Sequence, residues 1–148
     1  MEGQENYKNR QVKILLVEDD DGDAKAVKRA LNSVKIANPL VRAVDGMEAL
    51  EILRGTNGRE KLQKPYILLV DINMPRVDGI ALITELRNDP ELKDSVAFIL
   101  TTSKKDEDIA AAYKLNVAGY ILKQTAGKDF LKITDLLDCY WRIVEFPV

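Results

Sequence analysis

The sequence predicts an α/β protein of the doubly wound kind, a parallel five-stranded sheet with helices on both faces. Three observations lead there. Short, nearly continuous apolar runs recur along the chain, as strands covered on both faces require. Longer segments of helical period separate them, and turn-forming residues mark the junctions. Five strands alternating with five helices are the pattern of right-handed βαβ crossovers, and hence of parallel pairing.

In chain order, Val12 to Val17 is β-rich and apolar, the first strand. Ala24, Val27, Ala30, Leu31 and Val34 then fall at helical spacing, with Lys25, Lys28, Arg29 and Asn32 opposite. Asn38-Pro39 breaks that pattern, Leu40 to Val44 reads as a short strand, and Met47 to Leu53 as a helix closed by Gly55. Residues 55–65, GTNGREKLQKP, are polar and rich in turn formers, a solvated connection with room for one added helical turn. Tyr66 to Val70 is the clearest buried strand, and Ile80, Leu82, Ile83 and Leu86 mark a helix ending before Asn88-Asp89-Pro90. Val96 to Leu100 forms strand four, Ile109 to Leu115 helix four, and Tyr120 to Leu122 strand five. A last helix is expected from about Gly127 into the 140s.

A chain of 148 residues suits one domain and can bury a core without disulfide or metal staples. Its 46% hydrophobic and 31% charged content excludes a disordered or fibrous class. A net charge of −2 offers no bulk attraction to nucleic acid or anionic lipid. Cys139 is the single cysteine, so no intrachain disulfide can form. Residues 1–11 are polar and lack the apolar segment of a signal peptide, and no apolar run approaches the roughly 20 residues that span a bilayer. The expectation is a cytoplasmic protein with neither membrane nor nucleic acid as partner. The absence of histidine removes the commonest general base and metal ligand, leaving carboxylates, hydroxyls and lysines to carry any chemistry.

In parallel α/β sheets the functional crevice lies outside the carboxyl ends of the strands. Glu18 and Asp19 follow strand one, Asp71-Ile72-Asn73 strand three, Thr101 and Thr102 strand four, and Lys123 strand five. Close carboxylates repel and raise one another's pKa unless a positive group sits among them. Mg²⁺, a hard ion that prefers oxygen ligands, fits such a set. A carboxylate can also act as a nucleophile toward phosphorus, forming an aspartyl phosphate. Taken singly, each strand-end acid reads more simply as a turn former or helix cap; the convergence of the four strand ends favours a site. Asp20, Asp21 and Asp23 are explained by the start of the next helix, where caps and negative charge are favoured.

These residues, carried in ILLVEDD, LLVDINMPRVDG, ILTTS and GYILK, resemble the receiver domain of two-component response regulators over about residues 12–137. The resemblance implies the strand order 2-1-3-4-5 and a single receiver domain over 12–148. It implies Asp71 as phosphoacceptor and Glu18 and Asp19 as the acidic pair. Asp19, Asp71 and the Asn73 carbonyl would ligate Mg²⁺, Glu18 would act through water, and Mn²⁺ would be an acceptable substitute. Thr101 would be the switch hydroxyl, Lys123 the phosphate-binding lysine and Tyr120 the aromatic switch partner; Tyr120 reads equally as a core aromatic with its hydroxyl at the surface. The partner implied is a sensor histidine kinase, with slow self-catalysed hydrolysis the only further chemistry and no enzymatic turnover. The sequence departs from the family in one place: Gln124 stands where proline usually follows the lysine in a cis peptide, and a cis bond without proline costs about 2.5–4 kcal/mol.

Three other functions are open to the same fold. A phosphatase with an aspartyl intermediate commonly has Asp-x-Asp after its first strand, whereas Asp71 follows strand three and Asn73 fills the second position. A flavodoxin-like carrier would set its flavin phosphate against the acids from Glu18 to Asp23. A constitutive scaffold would not require the whole phosphorylation set. No basic recognition helix follows the five βα units, so signalling through protein contacts is expected. Residues 138–148 form an apolar extension holding the only tryptophan. Tyr140, Trp141, Val144 and Phe146 are its candidate interface residues, Trp141 and Phe146 being surplus to a single face against the sheet. This tail resembles that of the stand-alone regulators paired with phytochrome-type histidine kinases, where it supports a homodimer; folding back on its own domain is the plainer alternative.

Overall fold

The computed structural model describes residues 12–33, 38–72, 74, 78–101 and 106–122. Along it run β1 (Lys13–Val17), α1 (Asp21–Ser33), β2 (Leu40–Ala43), α2 (Gly46–Arg54) and β3 (Tyr66–Asp71), then α3 (Gly79–Asn88), β4 (Val96–Thr101), α4 (Asp106–Lys114) and β5 (Gly119–Leu122). All neighbouring strands pair in parallel, in the order β2-β1-β3-β4-β5. The order 2-1-3-4-5 is therefore the one observed. The helix expected from Gly127 and the tail from 138 to 148 lie outside the described residues.

The central strands are largely apolar because successive side chains alternate between two cores. Leu15, Val17, Leu68, Val70, Ala97 and Ile99 meet Ile52 and Leu53 of α2 and Leu82, Ile83 and Leu86 of α3. Their alternates Ile14, Leu16, Ile67, Leu69, Phe98 and Leu100 form the opposite core, with Ala24 and Val27 of α1. Every residue of β3 is buried, as befits the central strand.

Caps fix where the helices begin and end. Asp45 accepts a 2.8 Å bond from the Glu48 amide, and the Glu48 carboxylate in turn accepts one from Val44, closing the start of α2 from both sides. Gly55 ends α2 at φ 69°, a left-handed position where a β-carbon would also lie 2.7 Å from that of Lys61. Asp78 caps α3 through the Ala81 amide. At α1 the cap is Asp20, whose carboxylate accepts from the Asp23 amide at 2.7 Å. The acids after Asp19 thus serve the helix start, with Asp20 as cap and Asp21 in the first turn.

Two expectations need adjusting. Residues 55–65 contain no helical turn, and the connection is not wholly solvated, since Leu62 packs on the core and its amide bonds the Ile52 carbonyl at 3.0 Å. Several ends also shift: α4 begins at Asp106 rather than Ile109, β4 runs on to Thr101, and Val44 falls outside β2 and is exposed.

Candidate functional site

Strand register brings the acids together. Val17 of β1 lies opposite Val70 of β3, so the next residues along, Glu18 and Asp71, are neighbours at the carboxyl end of the sheet. Alternation continues the side of Leu16 and Leu69, placing both beyond the α1-facing core. Glu18 is held there by its amide, which bonds the Ala43 carbonyl at 3.0 Å, and the end of β3 by the Ile72 amide on the Leu100 carbonyl.

Glu18, Asp19 and Asp71 each bring a carboxylate oxygen within 4.8 Å of the others. Glu18 is 0% exposed and Asp71 2%, while Asp19 faces solvent. Two ionised carboxylates at that spacing repel by about 3.5 kcal/mol or more at an effective dielectric of 20. A divalent cation offsets such repulsion, and an all-oxygen set with one member open to water suits the hard, water-retaining ions. These residues therefore fit the metal that the sequence implied.

Gly79, which sequence reading passed over, shapes this corner. A β-carbon on it would lie 2.5 Å from the Asp71 carbonyl oxygen and 2.6 Å from the Ile72 α-carbon. Its amide bonds the Ile72 carbonyl at 3.1 Å, so α3 starts in contact with the backbone that carries Asp71. The G of VDG was the visible signal, but nothing local distinguishes a close approach from an ordinary turn.

Arg42 was also missed, because a single basic residue in a short strand reads as a solvated side chain. It lies opposite Leu16 in the β1–β2 pairing. Its Nε donates to the Glu18 carbonyl at 3.0 Å, and its Nη1 donates to the Asp21 carboxylate at 2.7 Å. That hydrogen bond, with the guanidinium charge, holds the Asp21 carboxyl below its ordinary range.

The other expected site residues are placed only in part. Thr101 ends β4 opposite Leu122 of β5, putting its backbone at the same sheet edge. Tyr120 is 40% exposed and meets Tyr113 of α4 edge-on, with ring centroids 6.1 Å apart, so the core-aromatic alternative does not describe it. Asn73, Lys123 and Gln124, together with Tyr140, Trp141, Val144 and Phe146, lie outside the described residues.

A doubly wound sheet with clustered acids at its carboxyl edge narrows the class, and family comparison completes it. Residues 14–135 match the response regulator receiver domain, and the chain belongs to that family. Among curated proteins it is similar to the response regulator Rcp1 of Synechocystis, 33% identical over 128 residues, which cover 86% of this chain and 87% of that protein. The structure of the Mn²⁺-bound form of Rcp1 superposes with a TM-score of 0.78 at 32% identity, covering 92% of this chain and 99% of the other. That of the phosphorylated cyanobacterial phytochrome response regulator RcpA gives 0.77 at 32% identity, covering 88% and 94%. Among the described residues, no helix is long and apolar enough to cross a membrane.

Proposed function

We propose that this receiver accepts a phosphoryl group on Asp71 from the phosphohistidine of a sensor histidine kinase, in a Mg²⁺-dependent reaction, and signals by protein contacts. The observation that carries the reading is the meeting of Glu18, Asp19 and Asp71 within 4.8 Å at the end of β1 and β3. An Asp71 oxygen attacks phosphorus, the N–P bond breaks, and its electron pair returns to the imidazole of the kinase. Asp19, Asp71 and the Asn73 carbonyl would hold the ion, with Glu18 acting through water, and Mn²⁺ would serve in its place. When bound, the ion would supply positive charge to offset that on the transferring phosphoryl oxygens. Burial keeps Asp71 oriented and limits access of bulk water to the acyl phosphate. Lys123 would bind a phosphoryl oxygen, while Thr101 and Tyr120 would report phosphorylation to the surface.

The similarity to Rcp1 and RcpA supports both the metal and the phosphorylation, and it favours a kinase of the phytochrome type. Residues 138–148 are proposed as a homodimer contact through Tyr140, Trp141, Val144 and Phe146, to be tested by sizing the protein with and without Trp141→Ala. The test of the main reading is intact mass after incubation with a small phosphodonor. One phosphoryl adduct is expected with Mg²⁺ and none in its absence or in Asp71→Asn. No adduct under saturating donor and Mg²⁺ would overturn the reading.

A further inference from the structure

Asp19 is the exposed member of the acidic trio, and it sits on the short connection between β1 and α1. A solvated carboxylate on a loop has to be held in place if it is to share an ion with buried Asp71. The contacts of Arg42 bracket that connection. Its Nε bonds the carbonyl of Glu18, immediately before Asp19, and its Nη1 bonds Asp21, the first residue of α1. One rigid guanidinium thus grips both sides of the Asp19-Asp20 step, while its own strand fixes it opposite Leu16. Glu18 is tied to the same strand through its amide on the Ala43 carbonyl. With side chains 20% and 83% exposed at Arg42 and Asp21, the Asp21 contact adds little as a surface ion pair, so its significance is geometric.

We infer that Arg42 is a positioning residue for the metal site, acting through the Glu18 carbonyl and Asp21 to set where Asp19 presents its carboxylate. The inference rests on the reading of Glu18, Asp19 and Asp71 as a cation site. It predicts an effect opposite in sign to simple electrostatics. A guanidinium beside an acidic cluster disfavours a cation, so deleting its charge alone strengthens metal binding. Deleting a positioning contact weakens it, typically by about 10-fold or more.

The experiment is a Mn²⁺ titration of the full chain followed by electron paramagnetic resonance, on the parent, Arg42→Met, Arg42→Lys and Asp21→Asn, each checked for folding by circular dichroism. Arg42→Met is expected to weaken Mn²⁺ binding about 10-fold. Arg42→Lys keeps the charge but cannot make the forked contact, so it weakens binding at least as much. Asp21→Asn weakens it less, and adding that change to Arg42→Met causes little further loss, because both act on one contact. Unchanged or tighter binding in folded Arg42→Met would overturn the inference, as would parent-like binding in Arg42→Lys. If Arg42→Met fails to fold, Arg42→Lys decides the question, because it keeps the charge and removes only the forked contact. A parent that binds no Mn²⁺ refutes the underlying site, and this inference with it; a parent that binds beside unaffected variants refutes the positioning role alone.

Discussion

Replacing Gly79 by alanine is the most informative single perturbation, because it adds one methyl group at the backbone that carries Asp71. The new β-carbon would stand 2.5 Å from the Asp71 carbonyl oxygen, where ordinary contact begins at 3.4 Å, a shortfall of about 0.9 Å. Two of the three nearest atoms belong to Asp71 and the third is the Ile72 α-carbon, so no flexible side chain can yield. Either α3 moves off the sheet or the end of β3 moves with it. Overpacking of this kind costs about 1–3 kcal/mol. The gain from alanine over glycine in a helix is at most about 1 kcal/mol, and less in the first turn, so the net sign is destabilising. Misplacement of a reacting group by about 1 Å can lower a rate about 100-fold. Gly79→Ala is therefore expected to lose stability in urea denaturation and, under conditions where it remains folded, to phosphorylate from a small phosphodonor at least tenfold more slowly. Parent-like stability together with a parent-like rate would refute the argument that this close approach positions Asp71.

Asp45→Ala removes a buried cap from α2 and should cost about 1 kcal/mol by chemical denaturation. Leu82→Ala opens a cavity at a fully buried position where α3 meets the sheet and should cost about 2–5 kcal/mol by the same measurement. Asp89 is held below its usual value of 3.8, first by the hydrogen bond from the Glu91 amide and then by Arg54. Its folded pKa being depressed, its contribution to stability is present above the unfolded value and lost as pH falls through the folded one. The stability deficit of Asp89→Asn near neutral pH should accordingly shrink with acidification below 3.8, and an unchanging deficit would argue against the assignment.

Much of the fold was legible because burial on both faces leaves an unmistakable mark. Tyr66 to Val70 could be nothing but a central strand, and its end therefore located Asp71. Elements at the sheet edge were less sharply bounded. Val44 continues the apolar run of Leu40 to Ala43, yet it turns out to solvent just before the Asp45 cap, since an apolar run does not disclose where strand pairing stops. Leu62 looked like an isolated apolar residue in a polar loop, and only the path of the chain back to Ile52 shows that it has a core to enter. The acids of the site were legible by type and position. Gly79 and Arg42 were not, because a close approach and a cross-strand clamp depend on which backbone lies alongside, and local spacing carries no trace of that.

Whether Asp71 carries the phosphoryl group can be measured directly. Borohydride reduction of the phosphorylated protein, followed by peptide mass spectrometry, converts an aspartyl phosphate to homoserine and so marks the residue that carried it. Homoserine is expected at position 71 in the Mg²⁺-treated sample, and unmodified aspartate there when Mg²⁺ is withheld. Homoserine at Asp19, Asp20 or any other acid, with position 71 intact, would contradict phosphorylation of Asp71.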